Sequence, residues 1–142
     1  MNYEFINKII SLAEEAYKLD EIPVGAVVVL NNQIIGFGIN NRNKNSSVIG
    51  HAEISAIEMA CRKIGDWRLE NCEMYVTLSP CMMCTGAIVD SRIKKVYYLC
   101  DRTNVCFNAS DYINLHKIND MELLSRYMKL LKLFFENKRN KG

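Results

Sequence analysis

Two short segments, His51-Ala52-Glu53 and Pro80-Cys81-Met82-Met83-Cys84, constrain the fold of this chain more than any other feature of its sequence. One imidazole and two thiolates are ligands that zinc prefers, and a structural zinc site normally has four such ligands. Three protein ligands leave a fourth position for water, whose pKa zinc lowers to about 7. The two segments must therefore converge, and the sequence predicts an open zinc site of His51, Cys81 and Cys84.

The helices predicted around these ligands favour the same site. Cys81 and Cys84 are three residues apart at a helix start, so both sulfurs lie on one helix face. A helix N-terminus also lowers the pKa of a thiol and favours the thiolate form. Glu53, two residues after His51, points to another side of its helix and need not bind the metal. We expect Glu53 to move protons beside the zinc, a role compatible with stabilisation of its charge by the helix dipole.

Other interpretations of the same residues stay open at this point. Cys-x-x-Cys alone is also a redox motif, and a single histidine is more often hydrogen-bonded than a ligand. A closed structural zinc site would need a fourth ligand, which Cys72 or His116 could supply. Cys61 could not, because it lies ten residues along the His51 helix, about 15 Å away. The open site is favoured, since a closed one would leave Glu53 without a purpose.

Composition is that of a single compact globular domain, 1–142, with 49% hydrophobic residues. No apolar run approaches the ~18 residues of a membrane span, and the N-terminus lacks the apolar core of a signal peptide. We therefore expect a cytoplasmic protein without membrane contact. The remaining cysteines are predicted to be free thiols rather than a disulfide framework: Cys61, Cys72, Cys100 and Cys106.

Charge is distributed unevenly along the chain. Residues 1–91 carry 7 basic and 11 acidic side chains, and residues 92–142 carry 11 basic and 5 acidic ones, which together give the net charge of +2. The positive excess after residue 91 indicates an anionic partner near the C-terminal part, or else a solvated helix face.

Hydrophobic periodicity predicts strands that alternate with helices, which favours a three-layer α/β domain. Residues 40–47 are predicted to form a loop. Residues 101–119 are ambiguous, with a short helix around 110–115 as one option, and the tail 137–142 is expected to be frayed. The predicted helices cover 2–19, 51–64, 81–91 and about 121–138, and the predicted strands cover 23–30, 33–39, 73–78 and 95–100.

The H-x-E…P-C-x-x-C pattern of the two segments is the signature of zinc-dependent base deaminases. Further stretches between about residues 5 and 98 are more specific. On these residues the chain resembles the bacterial tRNA adenosine deaminase family of the zinc-dependent cytidine deaminase superfamily. The stretches are Ile22-Pro-Val-Gly-Ala-Val, Gly36-Phe-Gly-Ile-Asn40, His51-Ala-Glu-Ile, Trp67-Arg-Leu-Glu70, Tyr75-Val-Thr-Leu-Ser-Pro-Cys-Met-Met-Cys-Thr-Gly-Ala87 and Ser91-Arg-Ile93.

The resemblance implies an α/β/α sandwich around a mixed five-stranded sheet, a homodimer, and hydrolysis of the wobble adenosine of a tRNA anticodon to inosine. It implies zinc on His51, Cys81 and Cys84, with Glu53 carrying protons from the water to a ring nitrogen and the departing amine. The target base would be flipped, because C6 of adenine is inaccessible inside a base stack.

The resemblance also implies a binding pocket for that base. Asn40 would hydrogen-bond the purine, and an amide can donate and accept at once, as adenine edges demand. The alternative is that Asn40 caps a turn. The pocket would be lined by Val24, Leu78 and the backbone of Ala52.

The C-terminal helix end carries two phenylalanines followed by basic residues. Phe135, Lys138 and Arg139 could stack a base and bind phosphates. The alternative is that Phe134 and Phe135 pack in the core.

The chain departs from the family pattern beside the substrate. Ser79 stands where the family usually has a glutamate. In the segment from Cys100 to Asp111 the family's acidic position aligns with Arg102, its basic position aligns with Asn104, and its glycines are absent. These changes concern the substrate rather than the metal chemistry, and Arg102 either replaces a lost contact or makes a new one.

Three functional hypotheses follow. The leading one is a zinc-dependent deaminase of a base in single-stranded nucleic acid, foremost adenosine in tRNA. The second keeps the chemistry but takes a free base or nucleoside such as guanine, cytosine or cytidine. The third is an inactive zinc-binding partner subunit, against which the presence of Glu53 argues.

Overall fold

A computed structural model of the chain describes residues 2–141, and for residues 139–141 it describes the backbone alone. Five strands form one sheet in the order β2-β1-β3-β4-β5. β1 is antiparallel to both neighbours, whereas β3, β4 and β5 are parallel to one another. The elements are α1 Tyr3–Lys18, β1 Gly25–Leu30, β2 Gln33–Ile39, α2 Arg42–Asn45, α3 Ala52–Ile64, β3 Glu73–Leu78, α4 Met82–Ser91, β4 Lys95–Cys100, a 3-10 turn Ala109–Asp111, β5 Leu115–Lys117 and α5 Met121–Lys141.

Helices cover both faces of this sheet. A Cβ at Gly25 would meet α1, and a Cβ at Gly38 would meet α3. Gly38 pairs with Ala26, so the adjacent Gly25 points to the opposite face. α1 contacts α5, and α3 contacts α4, which gives one helix pair on each face. The predicted α/β fold with a mixed five-stranded sheet is confirmed.

The apolar run of β1 reflects this position between two helical layers. Ala26, Val27 and Val28 are fully buried, as expected for a central strand that is covered on both faces. Close packing of β2 against α3 depends on glycine. A Cβ at Gly36 would overlap the carbonyl oxygen of Ala56, so the absence of side chains at Gly36 and Gly38 lets α3 lie directly on the strand.

Three local predictions need correction. The loop predicted over 40–47 contains the short helix α2. The helix considered around 110–115 is a 3-10 turn that ends at Asp111, and Leu115 instead begins β5, because its backbone pairs with Val96 of β4. The C-terminal helix continues to Lys141 instead of fraying from residue 137. Asn137 donates to the Tyr17 hydroxyl at 3.1 Å, which holds this end of α5 on α1, and Gly142 lies outside the described residues.

None of the helices described between residues 2 and 141 combines the length and apolarity that crossing a membrane requires.

Candidate metal centre and active site

The three predicted metal ligands meet where two helices begin. His51 is the residue before α3, Cys81 is the residue before α4, and Cys84 lies in the first turn of α4. β3 and the segment after it deliver Cys81 to the carboxyl end of the parallel strands. The backbone N–H of Cys84 donates to the Cys81 sulfur at 3.5 Å, so the first turn of α4 orients both cysteines. The two sequence segments therefore converge as predicted.

The geometry of this cluster fits zinc. The His51 Nδ1 atom lies 3.6 Å from the Cys81 sulfur and 3.4 Å from the Cys84 sulfur. Tetrahedral zinc with Zn–S of about 2.3 Å and Zn–N of about 2.0–2.1 Å separates S from N by about 3.6 Å. All three ligand atoms lie within 4.8 Å of one another. One nitrogen and two sulfurs at this spacing can hold the ion and leave one coordination position open.

The two thiols of the cluster differ in acidity. The hydrogen bond from Cys84 lowers the pKa of Cys81 to about 3, against an opposing effect of burial. The same hydrogen bond, together with burial, raises the pKa of Cys84. Without metal the pair therefore shares one proton, and Cys81 is the thiolate.

Glu53 lies beside the cluster, in the first turn of α3. Only 1% of the residue is exposed, and its Oε2 atom has no hydrogen-bond partner among the described residues. Burial raises the pKa of the Glu53 carboxyl, while its own backbone and the charges of His51 and Arg102 oppose the rise. A buried carboxylate oxygen without a protein partner is suited to accept a hydrogen bond from a ligand in the site.

The alternative of a closed site with four protein ligands is not supported by the described residues. His51, Cys81 and Cys84 are the whole of the metal-ligating group there. Cys72 is buried in the core, and His116 is exposed on β5, where its Nε2 lies 2.8 Å from Asn114 Oδ1. All six cysteines are free thiols.

Of the predicted pocket residues, Asn40 contacts the start of α3. Asn40 is buried, and its Oδ1 accepts a hydrogen bond from the backbone N–H of Ala52 at 3.0 Å. This bond joins residues twelve positions apart, at the start of α3, so it is not the local turn cap considered from the sequence. It leaves the Nδ2 group of Asn40 free to donate. Val24 and Leu78 are buried in the core. Their contact with a base stays a prediction.

Two cavities border the residues of this region. One, of about 290 Å³, is lined by Asn40 together with Glu21 and Arg42. The other, of about 200 Å³, is lined by Ser79, Pro80 and Arg102.

Glu21 shapes the first cavity, a role that nothing in the sequence predicted. Glu21 is buried, and its two carboxylate oxygens accept the backbone N–H groups of Asn43 at 3.1 Å and Lys44 at 2.8 Å. This contact fixes α2 beside Asn40. The sequence contains no local signal for it, because the partners are backbone groups more than twenty residues away.

The two phenylalanines near the end of α5 differ in burial. Phe134 is 4% exposed and packs in the core, whereas Phe135 is 47% exposed and lies edge-on to it at 5.3 Å. Lys138 binds Asp20 at 3.2 Å, and the carbonyl of Asp20 accepts from Asn43 of α2. The helix end therefore lies near the loop after Asn40. The side chain of Arg139 lies outside the described residues.

The family profile and the curated relatives that match this sequence point to the same family. The sequence profile of the cytidine and deoxycytidylate deaminase zinc-binding region matches residues 1–100. The tRNA-specific adenosine deaminase of Buchnera aphidicola subsp. Schizaphis graminum is 41% identical over 84% of this chain and 83% of its own length. That of Aquifex aeolicus is 36% identical over 96% of this chain and 95% of its own length. The match to the Bacillus subtilis enzyme, 44% identical, spans 58% of that relative.

Comparison with solved structures agrees with the fold. A tRNA:A34 deaminase studied for A-to-I editing superposes with a TM-score of 0.73 and 32% identity, over 82% of this chain and 98% of that chain. Guanine deaminase from Bacillus subtilis gives a TM-score of 0.69 and 32% identity, over 91% of this chain and 93% of that one. The chain therefore belongs to the cytidine and deoxycytidylate deaminase zinc-binding family and, within it, to the group of bacterial tRNA-specific adenosine deaminases.

Proposed function

We propose that this chain hydrolyses adenosine to inosine at the wobble position of tRNA. The observation that carries the proposal is the Glu53 carboxyl, which is buried beside the three zinc-fitting residues with one oxygen unpartnered. Relatives that bear the name tRNA-specific adenosine deaminase and match most of the chain support the choice of substrate.

His51, Cys81 and Cys84 would hold zinc, which when bound acts as a Lewis acid that makes water nucleophilic near neutral pH. Glu53 takes the two protons of the attacking water in turn, and delivers one to the purine ring nitrogen and the other to the departing amine, which leaves as ammonia. Its raised pKa suits this exchange, because a buried carboxyl both accepts and returns a proton more readily near neutral pH.

Other residues of the chain would hold the base. Asn40 donates from Nδ2 to the purine edge, since its oxygen is already bonded to Ala52. Val24, Leu78 and the backbone of Ala52 would enclose the flipped ring and exclude water. A flipped base requires an unpaired strand, which an anticodon loop provides.

The end of α5 would contact the RNA on either side of that base. Phe135 offers an exposed ring for stacking, and Lys138 and Arg139 offer charge to phosphates. Lys138 already binds Asp20 at the surface, so contact with phosphate would exchange one partner for another.

We also propose that the chain acts as a homodimer. We propose that it works in the cytoplasm, because its proposed substrate, tRNA, is found there. Met82 and Val89 are exposed on α4, and with Tyr112 they border an apolar cavity of about 330 Å³. Gly86 faces open space on the same helix, so a second chain could approach α4 closely. We call Met82, Gly86, Val89 and Tyr112 the α4 patch.

A second candidate function is deamination of free guanine. The structural similarity to guanine deaminase covers nearly all of both chains at 32% identity. The segment from Cys100 to Asp111, in which Arg102 and Asn104 replace the residues of the tRNA-acting family, also favours a changed substrate.

A paired experiment tests these two functions and the role of Glu53. The zinc-loaded protein is incubated with an anticodon stem-loop RNA carrying adenosine 34 and, separately, with guanine, adenosine and cytidine. We expect inosine in the RNA by mass spectrometry, and we expect Glu53→Gln to bind about one zinc yet lose at least ~10²-fold in rate, the lower range for a general acid–base group. Glu58→Gln, an exposed carboxyl on the same helix, is the matched control. Ammonia from guanine with intact RNA would replace the first function by the second.

A further inference from the structure

Arg102 lies beside the strand end that leads to the metal ligands. β3 and β4 are paired up to Leu78 and Cys100, and the Ser79 N–H donates to the Cys100 carbonyl at 2.9 Å. The Arg102 Nε–H donates back to the Ser79 carbonyl at 3.1 Å. Since Ser79 and Pro80 immediately precede Cys81, this hydrogen bond holds the guanidinium close to the metal centre.

The guanidinium of Arg102 has spare donors. It takes part in none of the ion pairs formed among side chains of residues 2–138, and its bond to Ser79 uses Nε alone. The neighbouring carboxylate, Asp101, is bound by Lys117 at 2.6 Å and by the Tyr98 hydroxyl at 2.8 Å. Both Nη groups of Arg102 are therefore available to an anion from outside the protein.

The surroundings of Arg102 suit an anionic ligand of the active site. The side chain is partly buried and, with Ser79, Pro80 and Asn108, lines the cavity of about 200 Å³. A cation that is held at the strand end leading to Cys81 and also borders this cavity is placed to meet a ligand of the active site.

We propose that Arg102 is a specificity-determining residue that binds a phosphate adjacent to the target base. This inference rests on the proposed function and names the part of the substrate that the site recognises besides the base. A guanidinium with both Nη groups free matches two phosphate oxygens, whereas a ring or a ribose hydroxyl would leave its charge without a counterion.

A phosphate made neutral at a single place in the RNA tests the contact directly. Two anticodon stem-loops carry a methylphosphonate either before or after adenosine 34, and a third is unmodified. For the wild-type enzyme we expect one of the two replacements to raise KM by about tenfold, the size of one charge-assisted hydrogen bond, with kcat nearly constant. For Arg102→Ala we expect a raised KM on the unmodified RNA and no further loss from either methylphosphonate.

Two controls separate this inference from other roles of Arg102. Arg62→Ala removes an exposed positive charge from α3 and should respond to the methylphosphonates as the wild type does. Arg102→Lys keeps the charge without the fork and should recover part of the lost affinity. A loss in kcat for Arg102→Ala that is equal on all three RNAs would assign Arg102 to the positioning of Glu53 and overturn the phosphate contact.

A failure of the proposed function would look different, because the wild type would then leave the unmodified RNA intact. In that case binding of guanosine 5′-monophosphate and of guanosine is measured by calorimetry on the zinc-loaded protein. Tighter binding of the monophosphate by the wild type, lost in Arg102→Ala, would support the phosphate site on a nucleotide. Equal binding of both compounds would overturn it.

Discussion

At the scale of single residues, the two thiols of the candidate metal site differ in their protonation state before zinc binds. Cys81 has a pKa of about 3 and is a thiolate at neutral pH, whereas the pKa of Cys84 is raised by its hydrogen bond to Cys81 and by burial. Zinc requires both sulfurs deprotonated, so only the Cys84 proton has to be displaced.

Zinc binding should therefore release about one thiol proton, and log affinity should rise by about one for each pH increase of one unit. The measurement is proton release with a pH indicator when zinc is added to the metal-free protein at pH ~8, where an ordinary imidazole is already neutral. Release of two protons would show that Cys81 is also a thiol before the metal binds.

The two polar atoms of the Asn40 side chain have different roles: Oδ1 stabilises the fold, and Nδ2 is proposed to bind the substrate. Its Oδ1 accepts from Ala52, and its Nδ2 is the group assigned to the base. Asn40→Asp keeps the acceptor, so we expect nearly unchanged thermal stability but a loss of at least about tenfold in kcat/KM. Asn40→Ala removes both and should in addition cost about 1–3 kcal/mol in unfolding free energy, because a buried N–H loses its partner. Equal activity of Asn40→Asp and the wild type would show that Nδ2 does not contact the base.

At the scale of elements, α4 borders both the candidate metal site and the proposed dimer surface within ten residues. Cys84 lies in its first turn and Cys81 immediately before it, and Met82, Gly86 and Val89 of the α4 patch lie on its exposed side. Val89→Asp places a charge in that patch, away from the ligands, and should convert the dimer to monomer in sedimentation experiments, since an unpaired charge cannot be buried at an apolar contact. Met128→Asp, an exposed apolar position on α5, is the matched control. A Val89→Asp protein that remains dimeric would move the interface to another surface.

The elements that form the site were predictable from sequence because each has a long hydrophobic period or a strong end signal. The strand over 73–78 and the helix start at Ser79-Pro80 place Cys81 and Cys84, and the observed bounds agree within a residue. β5 could not be found this way, because Leu115–Lys117 has three residues and exists only through pairing with β4. The fifth strand was expected from family resemblance alone.

The same limit applies to side-chain contacts. The sequence predicted the three residues that the structure groups as a possible metal site, since ligand chemistry and spacing are local properties. It did not indicate that Arg102 bonds to the Ser79 carbonyl or that Glu21 binds the backbone of α2, because both contacts join segments distant in sequence through backbone groups.

At the scale of the whole molecule, the fold brings part of the positive charge of the C-terminal region close to the candidate site. The positive excess after residue 91 includes the end of α5, which lies near the loop after Asn40 through Lys138 and Asp20. RNA bound across the site would meet this end of the helix. Association with RNA should therefore weaken as salt rises, because phosphate contacts release counterions.

Lys138→Gln should reduce the slope of log affinity against log salt concentration by about 0.7, the value for one phosphate contact on a single strand. The measurement is fluorescence anisotropy with a labelled anticodon stem-loop over a salt series. Lys63→Gln, at the opposite end of α3 from the metal ligands, should leave the slope unchanged. An unchanged slope for Lys138→Gln would remove this residue from the RNA contact.

His51 and Cys81 are each the residue that immediately precedes a helix, a position where helices tend to open first. Zinc on these two residues would hold the beginnings of α3 and α4 to one point, although the helices are separated by a strand in the chain. Metal loading is therefore a local folding event as well as a chemical one. Zinc binding should then slow amide hydrogen exchange in the first turns of α3 and α4 together. Such a result would show that zinc assembles the active site before any substrate is present.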